Sequence, residues 1–173
     1  MQIKYFSENE ISQVFNLAKL CAVPDFYIIL DENKKFYEKV ASNGLSVAAV
    51  EDDKLVGFLL YRKNTSSLSG FIDSCETIKE LHNSDRWDCG IELMNSCVHP
   101  DHRGMHLEQK LISIAIENSL SFDKNAWFWA TTHKDNTPSR KAVMANRFQL
   151  VLEDIEMPYR HIALHRNLYI RGN

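Results

Sequence analysis

This chain of 173 residues has no long apolar run. None of its segments approaches the roughly 20 apolar residues that a membrane-spanning helix needs. Its first ten residues, MQIKYFSENE, lack the apolar centre of a secretory signal peptide. We therefore expect a cytoplasmic protein without a membrane partner. The length predicts a single domain over residues 1–173, large enough to bury a core.

The sequence also lacks the paired cysteines of a zinc knuckle or a dithiol redox site. Its four cysteines are Cys21, Cys75, Cys89 and Cys97, and none of them form a CxxC pair. In a chain of this size, we expect buried or free thiols in a reducing compartment.

No block of basic residues stands out. The 20 lysines and arginines are outnumbered by 23 aspartates and glutamates, which gives a net charge of −3. This balance argues against nucleic acid as the main partner, and it says little about small-molecule substrates.

The first half of the sequence predicts a strand, two helices and a hairpin. MQIKYF alternates as a short strand does, and Ser7 with Glu10 has the capping-box spacing of a helix that reaches Ala22. A second helix is predicted over residues 31–42. The apolar runs LSVAAV and KLVGFLLY flank the acidic EDD, which indicates a hairpin. Residues 62–86 are polar and indicate an inserted loop with a short helix near residues 76–81.

The second half predicts alternating strands and helices. WDCGIELMNSCV and AWFWATT indicate strands, the latter with Trp127 and Trp129 on one side. LEQKLISIAIENSL indicates a helix, and another opens with Thr137 as its N-cap and Pro138 at its first position. Two final strands are predicted to meet around Pro158. The element order predicts a mixed α/β fold around one sheet.

The stretch VHPDHRGMHLEQKL, between a strand and a helix, admits three interpretations: a plain turn, a metal site or a phosphate site. A metal site would use His99, His102 and His106, but Pro100 and Gly104 prevent one continuous helix from presenting all three. No fourth ligand is evident nearby. The sequence therefore predicts no metal.

The phosphate interpretation explains the position of Arg103-Gly104 near the start of a helix. The first N–H groups of a helix lack partners, and the helix dipole there favours anions. A glycine in this turn lets a phosphate approach the backbone. A plain turn remains possible, but it does not explain this placement.

The segment IELMNSCVHPDHRGMHLEQKLI, followed by NTPSRKAVMANRF, resembles the GNAT superfamily of acyl-CoA-dependent N-acetyltransferases. That family carries Gln/Arg-x-x-Gly-x-Gly/Ala after Val-x-Pro, and later Asn-x-x-Ser with a closing Gly-Phe. The matching positions are Val98, Pro100, Arg103, Asn136, Ser139 and Phe148. The resemblance covers residues 92–148. It implies an α/β fold with a mixed, mostly antiparallel central sheet flanked by helices.

Four positions depart from the family pattern. His106 and Glu108 replace small residues of the pyrophosphate motif. Arg147 replaces the later glycine, and Val143 stands where the family often has a tyrosine. If His106 replaces a glycine, we expect right-handed backbone there, and we expect Glu108 to point to solvent. A catalytically silent protein that binds CoA or a partner remains the alternative.

The resemblance implies acetyl-CoA as co-substrate and no metal. The pantetheine arm of acetyl-CoA would lie along the backbone at the end of the strand WDCGIELMNSCV. The pyrophosphate would bind backbone N–H groups of the turn that follows this strand. Two polar side chains would face the pantetheine arm from the other side. The cofactor-binding residues so implied are Ser96, Cys97, Val98, Arg103, Gly104, Met105, His106, Leu107, Glu108, Asn136 and Ser139.

The implied reaction moves an acetyl group from acetyl-CoA to a primary amine. Glu92 occupies the position of the family's general base, although it is also compatible with a solvated strand residue. The backbone N–H of Val98 would polarise the thioester carbonyl. His133 and Tyr159 are the next candidates for the base. The acceptor is a small amine or a peptide, and the sequence does not specify which. It does not specify the oligomeric state either.

Overall fold

The computed structural model describes residues 1–5, 10–22, 35, 37–39, 46–159 and 162–172. Residues 35 and 37–39, within the second predicted helix, are helical, and the rest of that helix lies outside the described residues. The strands and α-helices are β1 (Gln2–Tyr5), α1 (Ile11–Cys21), β2 (Ser46–Glu51), β3 (Lys54–Lys63), α2 (Glu76–His82), β4 (Gly90–Val98), α3 (Leu107–Phe122), β5 (Trp127–His133), α4 (Thr137–Ala145), β6 (Gln149–Tyr159) and β7 (Ile162–Arg171).

The strands form a seven-stranded sheet in the order β1-β2-β3-β4-β5-β7-β6. The pairs β1–β2, β2–β3, β5–β7 and β6–β7 are antiparallel, whereas β4 and β5 are parallel. The predicted mixed, mostly antiparallel sheet flanked by helices is therefore confirmed.

The chain divides into two compact units. The first contains Met1–Arg62 and Met94–Glu117, and the second contains Lys63–Leu93 and Asn118–Asn173. The single domain over residues 1–173 stays a prediction. No helix within the described residues is both long and apolar enough to span a bilayer.

In the first unit, the acidic hairpin is present as predicted. Glu51 pairs with Lys54 at its end. Asp52 and Asp53 between them take positive φ angles of 49° and 60°. Two consecutive left-handed residues form the turn whose twist matches that of paired strands, and aspartate tolerates this conformation better than most residues.

The core of the first unit joins α1 to the sheet. Ile11, Val14 and Ala18 recur at helical spacing and are buried against residues such as Phe58 and Leu60. Ser7 of the predicted capping box lies outside the described residues. The side chain of Glu10 instead accepts a hydrogen bond of 2.7 Å from Lys4.

A disulfide between Cys21 and Cys97 crosses this core, so the expectation of free or simply buried thiols is wrong for these two residues. Cys75 and Cys89 are free and half-buried. The two partners are 76 positions apart in the sequence, and only the packing of α1 on the sheet brings them together. A disulfide is uncommon in a reducing compartment, so it gives no support to the predicted cytoplasmic location.

The core of the second unit explains why the polar segment 62–86 is ordered. Residues Ser66–Ser74 form a 3₁₀ helix, and the predicted short helix is α2. Leu68 and Ile78 from these two helices are fully buried beside Trp127 and Trp129. A few apolar side chains therefore anchor a segment whose average composition resembles a loop.

Two boundaries in the second unit differ from the prediction. The N-cap of α4 is Asn136 instead of Thr137, and its side chain accepts a hydrogen bond of 3.3 Å from the N–H of Ser139. Asparagine and threonine are both favoured at this position, so the sequence did not decide between them. Pro158 lies inside β6, opposite Ala163, so the final turn comes after it.

Candidate active site

The loop after β4 carries most of the predicted cofactor-binding residues. β4 ends at Val98, a 3₁₀ turn covers Pro100–His102, and α3 begins at Leu107. The helix therefore begins at the first residue of the predicted helical run LEQKLISIAIENSL, after the Arg103-Gly104 turn. Residues 103–106 are an exposed turn, in which the N–H of Arg103 donates to the carbonyl of Pro100 at 3.2 Å.

Two residues of this turn have left-handed backbone. Gly104 has a φ of 79°, and a methyl group added there would meet no atom within 4 Å. His106 has a φ of 55°, so the expected right-handed conformation is wrong. The chain turns here into the first turn of α3, since His106 already accepts the helical hydrogen bond from Lys110. A non-glycine residue in this conformation costs roughly 1–2 kcal/mol.

Arg147, the other residue at a family glycine position, behaves in the same way. Its φ is 64°, and its N–H donates to the carbonyl of Met144 at the end of α4. The left-handed residue that commonly ends a helix is usually glycine. His106 and Arg147 therefore both have left-handed backbone, a conformation that favours glycine, although each carries a side chain.

Glu108 does not point to solvent as expected. Its Oε1 accepts a hydrogen bond of 2.6 Å from the hydroxyl of Ser96, and its side chain is half-buried. Glu108 lies in the first turn of α3, where the helix dipole stabilises negative charge. The structure thus brings together two predicted cofactor residues, Ser96 of β4 and Glu108 of α3, through a carboxylate.

A second contact with a carboxylate anchors the 3₁₀ turn of Pro100–His102 in this loop. His102 lies 3.0 Å from Glu51 through Nε2, and the terminal ammonium of Met1 lies 3.5 Å from the same carboxylate. The hydrogen bond with His102 is the main cause that lowers the pKa of Glu51, and the nearby ammonium adds to it. The described part of the chain contains no group of three side chains placed to hold a metal.

Cys97 contributes its side chain to the core and the disulfide, with 5% of its surface exposed. Its sulfur is therefore not available to carry an acyl group. Any role of Cys97 toward a cofactor is restricted to its backbone, which is the role that the resemblance implies.

Glu92, the predicted base, lies in the second unit on β4, directly opposite Trp129 of β5. The side chain is half-buried, and its Oε2 accepts a hydrogen bond of 2.7 Å from Nδ2 of Asn64. Glu92 lies within the paired part of β4 and β5, which runs from the pair Gly90–Trp127 to the pair Leu93–Ala130.

Asn64 is the residue that sequence reasoning missed. It follows β3 directly and is fixed by its backbone: its N–H donates to the carbonyl of Gly90, and its carbonyl accepts from Nε1 of Trp129. These distances are 2.9 and 2.7 Å. The polar run that it opens, NTSS, has the composition of an ordinary loop, so no pattern in the sequence marked it.

The other predicted residues of the second unit have local structural roles. Asn136 and Ser139 meet through the N-cap of α4. Val143, at the family's tyrosine position, is buried with 4% exposed. Nδ1 of His133 accepts a hydrogen bond of 3.2 Å from the N–H of Asp135. Tyr159 lies in β6, and its side chain is outside the described part.

Comparison with solved structures gives many matches of similar fold, 304 chains in all. The PaiA N-acetyltransferase of Thermoplasma acidophilum, in complex with coenzyme A, is 12% identical, with a TM-score of 0.70 over 99% of this chain and 98% of that one. Diaminobutyrate acetyltransferase EctA of Paenibacillus lautus is 12% identical, with a TM-score of 0.69 over 99% and 93%. The ribosomal-protein-alanine N-acetyltransferase of Brucella melitensis is 14% identical, with a TM-score of 0.69 over the whole of both chains.

No curated protein matches the chain by sequence. A family model does: the acetyltransferase (GNAT) family model matches residues 11–143, which is most of the chain. The match spans the loop after β4 and the N-terminus of α4, where the two motifs lie. Together with the seven-stranded sheet, it establishes that this chain belongs to the GNAT acetyltransferase family.

Proposed function

We propose that this protein transfers the acetyl group of acetyl-CoA to a primary amine, with Glu92 as the general base. The observation that carries the proposal is the fixed position of Glu92: a half-buried carboxylate on β4, held at 2.7 Å by the amide of Asn64. A base on a rigid strand can be kept within reach of a bound amine. Family membership supplies the reaction class.

The chemistry follows from the state of the amine. An amine attacks the thioester carbonyl only as the free base, and a lysine-like ammonium has a pKa of about 10.4. Glu92 removes this proton, and the N–H of Val98 polarises the carbonyl. The CoA thiol has a pKa of about 8.5, so its thiolate leaves near neutral pH and takes a proton from solvent. No tyrosine is needed at the position of Val143.

The exposed turn of residues 103–106 and the start of α3 would hold the phosphates of acetyl-CoA. The open space around Gly104 fits a phosphate near the backbone, and Arg103 is exposed beside it. Backbone groups of residues 96–98 would bind the pantetheine arm, and Asn136 and Ser139 would face it. Acetyl-CoA supplies the activated acetyl group.

Solved neighbours support either kind of acceptor. EctA was solved with L-2,4-diaminobutyric acid and coenzyme A, a small amine substrate. The Brucella melitensis enzyme is named for the alanine of a ribosomal protein, which is a peptide acceptor. We infer that the acceptor of this chain is a small amine or a peptide.

Thiol release from acetyl-CoA in the presence of an amine panel tests the proposal. Glu92→Gln should lower kcat at pH 7 by roughly 10²-fold, the lower bound for lost general-base help. The deficit should shrink at higher pH, where more amine deprotonates unaided. Glu80→Gln, which neutralises an exposed glutamate of α2, is the matched control and should keep full activity. Full activity of Glu92→Gln at pH 7 would place the base elsewhere.

A second candidate function is a silent protein that binds CoA without catalysis. The contact between Ser96 and Glu108 favours it, since a carboxylate at the first turn of α3 repels a phosphate. Titration calorimetry with acetyl-CoA, next to the turnover assay, separates the two. Binding without turnover on any amine supports the silent protein, and no binding at millimolar acetyl-CoA excludes both.

A further inference from the structure

Arg166 is a half-buried cation to which the described residues supply no counter-ion. It lies in β7, opposite His133 of β5 and Ile155 of β6. Burial is the sole cause that lowers the pKa of its guanidinium, and among the residues that the structure describes no group pairs with it. Removing such a charge from water costs folding free energy unless an anion compensates it.

Asp154 and Asp135, two acids in neighbouring segments, lie close to residues other than Arg166. Asp154 lies 3.1 Å from His165 and 3.6 Å from Lys134. Asp135 lies 3.8 Å from His133. Neither of these two carboxylates pairs with Arg166 among the described residues.

The side of the sheet that Arg166 faces follows from the strand register. The β5–β7 pairs run without a register shift, so alternate residues of β7 face the same side. Leu168 packs in the core with Trp129. Tyr169 faces the other side, where its hydroxyl accepts a hydrogen bond of 3.2 Å from Arg140 of α4. Arg166 therefore faces away from α4, which carries two of the predicted cofactor residues.

The proposed base lies on the same face as Arg166. Glu92 is opposite Trp129 in the parallel ladder, and Trp129 precedes His133, the partner of Arg166, by four positions. At about 3.3 Å per residue, the two levels are about 13 Å apart along the strands. Because the side chains of Arg166 and Glu92 are both long, a molecule that contacts both of them can be shorter than this distance.

We propose that Arg166 binds an anionic group of the acceptor, so that the substrate is an amine that also carries a carboxylate or a phosphate. This inference rests on the proposed function, because the acceptor is the molecule that Glu92 deprotonates. The planar guanidinium pairs with either anion through two parallel hydrogen bonds. Thr131, half-buried on the same face and opposite Leu168, offers a hydroxyl beside it.

Paired acceptors test the proposal in the thiol-release assay. Each amino acid is compared with its decarboxylated amine, for example lysine with cadaverine, and phosphoethanolamine is compared with ethanolamine. For one of the two series, the wild type should have a kcat/KM at least about tenfold higher for the anionic compound than for its partner without the anion. The series that shows this preference identifies the anion as a carboxylate or a phosphate. Arg166→Gln should lose this preference. It should leave unchanged both the kcat/KM for the partner that lacks the anionic group and the KM for acetyl-CoA. Arg166→Lys should restore part of the preference.

The matched control is Arg171→Gln, the same charge change on the same strand. Arg171 donates to the carbonyl of Asn146 at 3.1 Å, so its loss should leave the preference intact. An equal loss on both members of a pair would overturn the proposal. So would a raised KM for acetyl-CoA, since Arg166 would then serve the cofactor phosphates.

Calorimetry with the same compounds separates this inference from the proposed function. If no amine is acetylated, the proposed function fails. Binding of an anionic amine to the wild type and its loss in Arg166→Gln would still establish the anion site. If no tested anion binds the wild type more tightly than Arg166→Gln, the anion site is wrong.

Discussion

Asn64 donates a hydrogen bond of 2.7 Å from Nδ2 to Oε2 of Glu92, and its own backbone is bonded to two further residues. Its Oδ1 also accepts from the N–H of Ser66 at 3.2 Å. A residue fixed at both its backbone and its amide can hold the carboxylate in one orientation. Asn64 is thus a positioning residue for the proposed base.

Asn64→Ala should lower kcat by about tenfold, because a hydrogen bond to a charged group is worth about 1.5–3 kcal/mol. The KM for acetyl-CoA should stay unchanged. In the Glu92→Gln background the same substitution should have little further effect, since the group that it positions is gone. Ser67→Ala, which removes only a peripheral contact of 3.1 Å with Asn64, is the control. Equal losses in both backgrounds would mean a merely structural role.

Glu108→Gln should tighten acetyl-CoA binding by about tenfold, because it removes a like charge near the phosphates and keeps an acceptor for Ser96. Titration calorimetry at low and high salt measures this, and the gain should shrink with salt. Glu117→Gln, at the other end of α3, should not change the affinity. An unchanged affinity for Glu108→Gln would indicate that the phosphates bind elsewhere.

His106→Gly should raise the free energy of unfolding by up to about 1 kcal/mol. Glycine relieves the left-handed strain but adds entropy to the unfolded chain, so only part of the strain is recovered. His106→Ala keeps the strain and should give no gain. Denaturant unfolding of the three proteins checks this prediction. Acetyl-CoA binding should survive in His106→Gly, and its loss would mean that the imidazole itself holds the ligand.

The disulfide predicts a thiol count and a stability effect. Under denaturing, non-reducing conditions, two thiols per chain should react with a thiol reagent, those of Cys75 and Cys89. Replacing both Cys21 and Cys97 by serine should lower the free energy of unfolding by up to about 4 kcal/mol, since the bond closes a long loop. Cys75→Ser is the control. Four reactive thiols in the untreated protein would contradict the pairing.

Glu51 should contribute to the pH dependence of stability. Its pKa is lowered in the folded protein, mainly by the hydrogen bond with His102. Its contribution is therefore present above its ordinary pKa of 4.5 and is lost as the pH falls through the lower folded value. Wild type and Glu51→Gln should differ in Tm at pH 6 and converge in strong acid. Curves that stay parallel across this range would exclude the contact as a source of stability.

Local patterns in the sequence determined most of the elements. The apolar run AWFWATT predicted the strand that holds Trp127 and Trp129, and the two aspartates after Glu51 predicted the hairpin turn. These features follow from neighbours within a few residues, where periodicity and turn chemistry act directly. The two family motifs lie in equally short segments.

Contacts between distant segments decided the rest. Cys21 meets Cys97, Asn64 meets Glu92, and Ser96 meets Glu108, and in each case the packing of separate elements sets the pair. The direction of the Glu108 side chain, and the lack of a counter-ion for Arg166 among the described residues, depend on which neighbours the fold supplies, and composition does not encode that. The sequence by itself determined most of the strands and α-helices and the family motifs. Only the tertiary structure decided which polar groups are paired and which are buried, because burial and partner geometry are properties of the folded chain.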